Sequence, residues 1–511
     1  MEPVSSRNRK PNVLFIAIDD LRPELGCYGK HVISPNIDKL AASGVQFNRA
    51  YCQQAVCGAS RLSLMGGLYP TNTREQTFHV NGWRERHPNL LTMNQHFGMQ
   101  GYQTIGMGKI YHGHSSGPAT DLENWDTWID VSTSEYALQK NKDLVTQALK
   151  DKTKGSTHAP PEGPMTELAD VPDDTYIDGK RAARAIKVLD QLANDGEKPF
   201  FLAVGFTKPH LPFVAPKKYW DLYDRDSFSM PSNSGRPPQW PEDAAFTKAN
   251  EMQRYVDYVG NGPKDFPQSL NKRLLHGYAA AASFVDANVG RVLDALEEKG
   301  LADNTIVVLW GDHGWKLGDH SSWCKHTNFE CDTRVPLIVR DPRMNSGQTT
   351  DRLVELIDLY PTLCDLTGIE TPAHCQGRSF RGLLDDPESG HRYSSYSSYP
   401  AWKSLGHSIR FKTFRYTEWF HNDTGTLRAR VLTDLRKDPG EVTNCAEDPA
   451  YTESLAAAKT ELHKRRKEAD ANTVFKNTSA TQATSTTIQI ETGVSRRRQA
   501  IDGFGGSVAF W

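Results

Sequence analysis

The 511-residue sequence predicts an α/β protein, with a mostly parallel sheet sandwiched by helices and then a smaller region carrying an antiparallel sheet. Three observations carry this. The runs Asn12–Ile18, Phe200–Val204 and Thr305–Trp310 are continuously apolar and β-rich, the mark of strands buried on both faces. Each run ends in polar, reactive residues: Asp19-Asp20, then Gly205 with Thr207 to His210, then Gly311-Asp312-His313. Open α/β sheets place their ligand sites beyond the carboxyl ends of such strands. Helical patterns fill the intervals, and strands alternating with helices argue for a helix-covered sheet.

The elements follow in order. Ser34 to Ser43 opens with a cap-like Ser and with Pro35 at the first helical position. Asp178 to Asn194 and Leu274 to Lys299 space their apolar residues near 3.6. The stretch from Lys140 to Pro172 is polar and rich in Pro, Gly and Thr, so it reads as a long loop, as does Ser227 to Pro241. After Gly390 come Tyr/Ser-rich turns and short strands such as Ser408–Phe411 and Phe414–Thr417. The expected organisation is a catalytic region over 1–390, a C-terminal α+β subdomain over 391–470, and a Thr/Ser-rich tail over 471–511 with an Arg496-Arg497-Arg498 run.

Composition narrows the class. At 38% hydrophobic and 24% charged, the chain has the balance of a folded globular protein. A net charge of −2 gives no reason to expect nucleic acid or a basic membrane anchor. No run is long enough for a membrane span. No leader is visible, since Met1 to Lys10 is polar; the chain is either cytoplasmic or exported with its leader removed. Eight cysteines without a CxxC pair exclude a zinc ribbon and are too sparse for a disulfide-built scaffold, leaving room for one or two bridges.

The strongest local signal is Cys57-Gly58-Ala59-Ser60-Arg61. Alone, it reads as a small buried Cys at a helix start. Followed by Leu62 to Pro70, it resembles the sulfatase signature C-x-(P or A)-S-R with its trailing T-G-x-x-P. Ala59 stands where Pro is typical, Gly66 where Thr is usual, and Leu68 where Arg is frequent. The resemblance runs from about residue 12 to 460. It takes in Asn12 to Arg22, Gly26 to Gly29, Gln53 to Cys57, Gly108 to His112, Gly205 to Phe213, Gly311 to His320, Val354 to Thr362 and Asp434 to Glu441. The Asp19-Asp20-Leu21-Arg22-Pro23 opening, the Lys109/His112 spacing and the Asp312-His313-Gly314-Trp315 block are most similar to the iduronate-2-sulfatase branch.

The resemblance implies a type I, formylglycine-dependent sulfatase with an alkaline-phosphatase-like fold. In that family the Cys, here Cys57, is oxidised to formylglycine by a formylglycine-generating or anaerobic sulfatase-maturating enzyme. One hydroxyl of its hydrate attacks sulfur, and the second then expels sulfate. Asp19, Asp20, Asp312 and His313, with Cys57, would hold a divalent cation. Carboxylates suit Ca²⁺ or Mg²⁺, and the branch points to Ca²⁺ although imidazole favours softer metals. Arg61 would hold the hydrate, and Lys109 and Lys325 the sulfate oxygens. His112 would be the base of the elimination and His210 the acid for the leaving oxygen. Taken singly, each of these residues is as easily a solvated charge or a structural histidine; the flanking motifs decide. His114, His320 and His326 lack that support and read as structural.

Arg22 could reach a substrate carboxylate, and Trp315 could stack on a sugar face or pack in the core. Together they suggest a 2-O-sulfated uronic acid in a sulfated glycan, and with it a periplasmic or secreted location. Two rivals remain at this level: a phosphate or phosphonate ester hydrolase of the same superfamily, and a non-catalytic sulfated-glycan-binding protein.

Overall fold

The apolar runs form the centre of one sheet. The computed structural model describes residues 10–77, 80–113, 120–151, 161–246, 251–260, 262–401 and 403–471. Its main sheet contains β1 (Asn12–Ile18), β2 (Val45–Phe47), β3 (Gln103–Gly108), β4 (Thr127–Ile129), β5 (Phe200–Phe206), β6 (Thr305–Gly311), β7 (Leu337–Arg340) and β8 (Gln348–Thr350). The spatial order is β8-β2-β7-β6-β1-β5-β3-β4. Every pairing is parallel except the two made by β7, so the sheet is mixed and mostly parallel, as the sequence predicts. All of β1, β5 and β6 is buried. Each large apolar side chain so enclosed contributes about 1.5–3 kcal/mol relative to exposure.

Register decides where the site lies. Ile18 pairs with both Phe206 and Gly311, and Gly108 pairs with Gly205. The four strands therefore end at one level, and residues 19–20, 109–112, 207–210 and 312–313 leave the sheet side by side. Gly205 is required there, because a Cβ would collide with the Lys109 backbone.

Helices cover the sheet: α1 (Pro35–Ala42), α2 (Cys57–Gly66), α3 (Gln139–Asp151), α4 (Ile177–Asp195) and the 31-residue α5 (Gln268–Glu298). Ser34 does not cap α1. Its hydroxyl donates to Asp38 at 3.0 Å, while the free amides of Asn36 and Ile37 donate to Asp286 of α5 at 3.3 and 2.8 Å. The expected loop over 140–172 contains α3 and a strand, Thr166–Ala169, paired in parallel with Phe213–Pro216. A distant group explains the helix. Glu167 accepts from the amides of Ala137 and Leu138 at 2.6 and 3.1 Å and from Asn141 Nδ2 at 2.7 Å, anchoring an otherwise polar helix at its amino end.

The C-terminal antiparallel sheet is also present, as a meander of β9 (Ser394–Ala401), β10 (Ser404–Phe411), β11 (Phe414–His421) and β12 (Leu427–Asp434). Helix α6 (Thr452–Ala469) lays Ala458, Leu462 and Ala469 on Tyr396, Ile409, Tyr416 and Leu432. From α6, Arg465 reaches Glu355 at 2.7 Å and the hydroxyl of Tyr69, which follows α2 closely. Of the predicted tail, residues 472–511 lie outside the described residues.

Asp178, in the first turn of α4, ties that helix to the end of β5. Its carboxylate accepts from Thr207 N at 2.9 Å, Lys208 N at 2.7 Å and Arg181 Nη1 at 2.9 Å, all buried. Asp178→Ala takes the acceptor away from the Thr207 and Lys208 amides and the counter-charge away from the buried Arg181 guanidinium. It should lower unfolding free energy by about 3–5 kcal/mol, read from urea denaturation.

Candidate active site

Cys57 is the first residue of α2, and Arg61 follows one turn later on the same face. That spacing aims the guanidinium at the strand ends. Arg61 Nη2 donates to Asp19 at 3.0 Å, Nε to Asp312 at 2.8 Å and Nη1 to the carbonyl of Lys109, with no exposed side-chain surface. Ser60 Oγ donates to the Asp312 carbonyl at 2.6 Å, pinning the same turn to β6.

Around Cys57 the predicted residues converge. His313 Nε2 lies 3.1 Å from Cys57 Sγ, 3.5 Å from Asp20 Oδ1 and 3.4 Å from Asp312 Oδ2. His313 Nδ1 faces the Gly314 carbonyl oxygen at 3.0 Å. A carbonyl only accepts, so Nδ1 donates to it, and Nε2 points into the cluster. Lys109 Nζ pairs with Asp19 and lies 3.8 Å from Cys57 Sγ. Lys325 Nζ donates to both oxygens of Asp20 at 3.0 Å. Asp20 takes a left-handed backbone, φ 57°, held by its amide on Asp312 Oδ1 at 3.0 Å and its carbonyl on the Tyr278 hydroxyl at 2.9 Å.

Electrostatics follow from burial. Burial drives the Asp19 carboxyl up, but Lys109 and Arg61 outweigh it and hold Asp19 well below the usual carboxylate range. For Asp20, burial prevails over Lys325 and His210, and its carboxyl is pushed up. Burial and Asp19 push the Cys57 thiol well up, so the sulfur is a neutral thiol. Burial, then Lys109, drops the His112 imidazole to about 3, leaving it neutral at ordinary pH. The residues fit a divalent cation. Asp19, Cys57, Asp312 and His313 bring ligand atoms within 4.8 Å of one another, Asp20 adjoins them, and adjacent buried carboxylates gain from a cation between them.

His210 stands at the edge of this cluster. Its Nε2 is 3.9 Å from Asp20 Oδ2 and 2.7 Å from Glu251 Oε1, and its Nδ1 faces the Leu211 carbonyl oxygen at 2.6 Å. Glu251 also reaches Lys325 Nζ at 2.9 Å. Sequence reasoning missed Glu251, which sits in a polar segment with no strand end or motif beside it.

Residues 11–369 match the sulfatase family, and residues 318–468 match the family described as N-sulphoglucosamine sulphohydrolase, C-terminal. The chain belongs to the sulfatase family. It is 34% identical to iduronate 2-sulfatase of Mus musculus, over 86% of this chain and 89% of that one. Among solved structures, a protein in complex with its substrate D-glucosamine-2-N,6-O-disulfate superposes with a TM-score of 0.70 at 22% identity, covering 91% of this chain and 99% of that one. The phosphonate monoester hydrolase from Silicibacter pomeroyi gives 0.69 at 24% identity, covering 90% and 96%. These neighbours share the alkaline-phosphatase-like fold, and this sulfatase is a sulfuric ester hydrolase.

Two predicted substrate contacts are placed otherwise. Trp315 is fully buried, packed edge-on against Phe213 with Lys325 Nζ 4.8 Å over its ring, so it is not set to stack on a sugar. Arg22 is engaged within the chain, 2.8 Å from Asp319 and 3.0 Å from Glu24. His320 is structural: its Nε2 meets the Gly440 carbonyl oxygen at 2.7 Å and its ring stacks on Phe329. His326 is half-buried and lies 5.9 Å from the Tyr399 ring, and His114 lies outside the described residues.

Adding Ca²⁺ to metal-free protein should raise the unfolding temperature by about 1 °C for each kcal/mol of binding. Asp312→Asn should abolish that rise in a thermal-shift titration.

Proposed function

We propose that this sulfatase hydrolyses the sulfate ester of a glycan, with a 2-O-sulfated uronic acid residue as the sugar. The observation that carries the reading is the convergence on Cys57 of three carboxylates, one imidazole nitrogen and three cations, a set suited to a tetrahedral anion. The sugar rests on the 34% identity to iduronate 2-sulfatase.

Asp19, Asp20, Asp312 and His313 would hold Ca²⁺, which when bound polarises sulfate oxygen and acidifies a nearby hydroxyl. Cys57, oxidised by a maturating enzyme to formylglycine, supplies the nucleophilic hydroxyl of its hydrate; in this structure Sγ marks where those oxygens sit. Arg61 orients them from beneath, fixed by its own two carboxylates. Lys109 and Lys325 flank the position and neutralise charge that builds on the sulfate oxygens. His112 is neutral and takes a proton in the elimination of sulfate. His210 gives a proton to the leaving sugar oxygen, its Nδ1 fixed by Leu211 so that Nε2 faces the pocket. No helix among the described residues is long and apolar enough to cross a membrane. A glycan substrate favours a periplasmic or secreted location.

Peptide mass spectrometry should find Cys57 converted from thiol to aldehyde in active protein. Sulfate release from a 2-O-sulfated uronate oligosaccharide should fall by about 10³-fold or more in Cys57→Ala. Faster turnover of a matched phosphonate monoester would move the chain to that activity instead. His210→Ala should cost about 10²–10⁴-fold on the sugar ester, and far less on an aryl sulfate, whose leaving group needs little protonation.

A further inference from the structure

The two groups assigned above to the sulfate and to the leaving oxygen already hold a carboxylate. Glu251 places Oε1 2.7 Å from His210 Nε2 and Oε2 2.9 Å from Lys325 Nζ. His210 has nothing else to offer the pocket, because its other ring nitrogen is spent on the Leu211 carbonyl oxygen at 2.6 Å. One N–H cannot serve Glu251 and a leaving oxygen at once. Lys325 is likewise divided, with two further contacts to Asp20 at 3.0 Å. The Glu251 side chain is only 14% exposed, so water screens these pairs weakly. The next residue, Met252, and Tyr255 are anchored in the core.

We propose that Glu251 is a built-in competing anion, whose carboxylate fills the place between His210 and Lys325 that a sulfate group must take. This rests on the sulfatase reading of the site. Like charges exclude each other, so a sulfate ester binds as Glu251 turns away, and inorganic sulfate is released as it turns back. Between turnovers the carboxylate joins Asp20 in pairing the buried Lys325 ammonium. The apparent affinity for sulfate is then the intrinsic affinity reduced by the fraction of time Glu251 is away. The residue thus sets how tightly anions are held, which differs from orienting His210, a role that would raise kcat.

The test is calorimetric titration of inorganic sulfate into matured, Ca²⁺-loaded enzyme, with steady-state kinetics on an aryl sulfate alongside. E251Q and E251S should both bind sulfate about tenfold more tightly than the unsubstituted enzyme, and KM should fall in parallel. E251D, which keeps the charge, should lie between. The smaller E251S carries the test if E251Q does not fold, as judged by thermal melting. Unchanged or weaker sulfate binding in the charge-removing variants overturns the proposal, as does a fall in kcat with KM unchanged. An unsubstituted enzyme that turns over no sulfate ester overturns the proposed function itself, a result separate from turnover with sulfate affinity unaltered by substitution.

Discussion

The guanidinium of Arg61 is shared between Asp19 and Asp312, and the geometry of the site follows from that sharing. The two carboxylates end neighbouring parallel strands, and Arg61 sits one helical turn from Cys57. A third link, to the Lys109 carbonyl, adds the end of β3. One side chain therefore sets the distance between the nucleophile's helix and three strand ends. Only a planar fork that stays charged when buried does this; a lysine offers a single point charge and cannot span both acids.

The charges balance locally. Asp19, Asp20 and Asp312 face Arg61, Lys109 and Lys325, and Glu251 beside Lys325 extends the alternation outward. Fully buried ions of one sign would be prohibitively costly, while alternating ones are sustained by pairing. The arrangement leaves a narrow region around Cys57 where a cation and a tetrahedral anion each find opposite charge.

Much of this was legible in the sequence because local pattern and global role coincide. Strands buried on both faces must be continuously apolar, so β1, β5 and β6 announced themselves, and the polar residues after them fell at the sheet's carboxyl edge. The Cys57 to Arg61 spacing is one helical turn, so the two share a face. What escaped was set by partners distant in the chain. Helix α3 depends on Glu167, and the start of α1 on Asp286 rather than Ser34. Glu251 has no local mark; its significance exists only beside His210 and Lys325. Trp315 and Arg22 show the opposite limit. Nearness to His313 and Asp20 along the chain suggested nearness to substrate, but the direction of each side chain decided otherwise.

The clasp between Arg465 and the Tyr69–Glu355 pair bears on timing. Tyr69 and Arg465 are separated by 396 residues. At about 5–20 residues per second, a ribosome needs roughly 20–80 s to cover that interval. Throughout it the segment carrying Cys57 lacks α6, and the strands of the main sheet are added to it one by one. A thiol sealed in the finished fold thus emerges well before the clasp behind its helix can close, and an enzyme that needs it open has that interval at most.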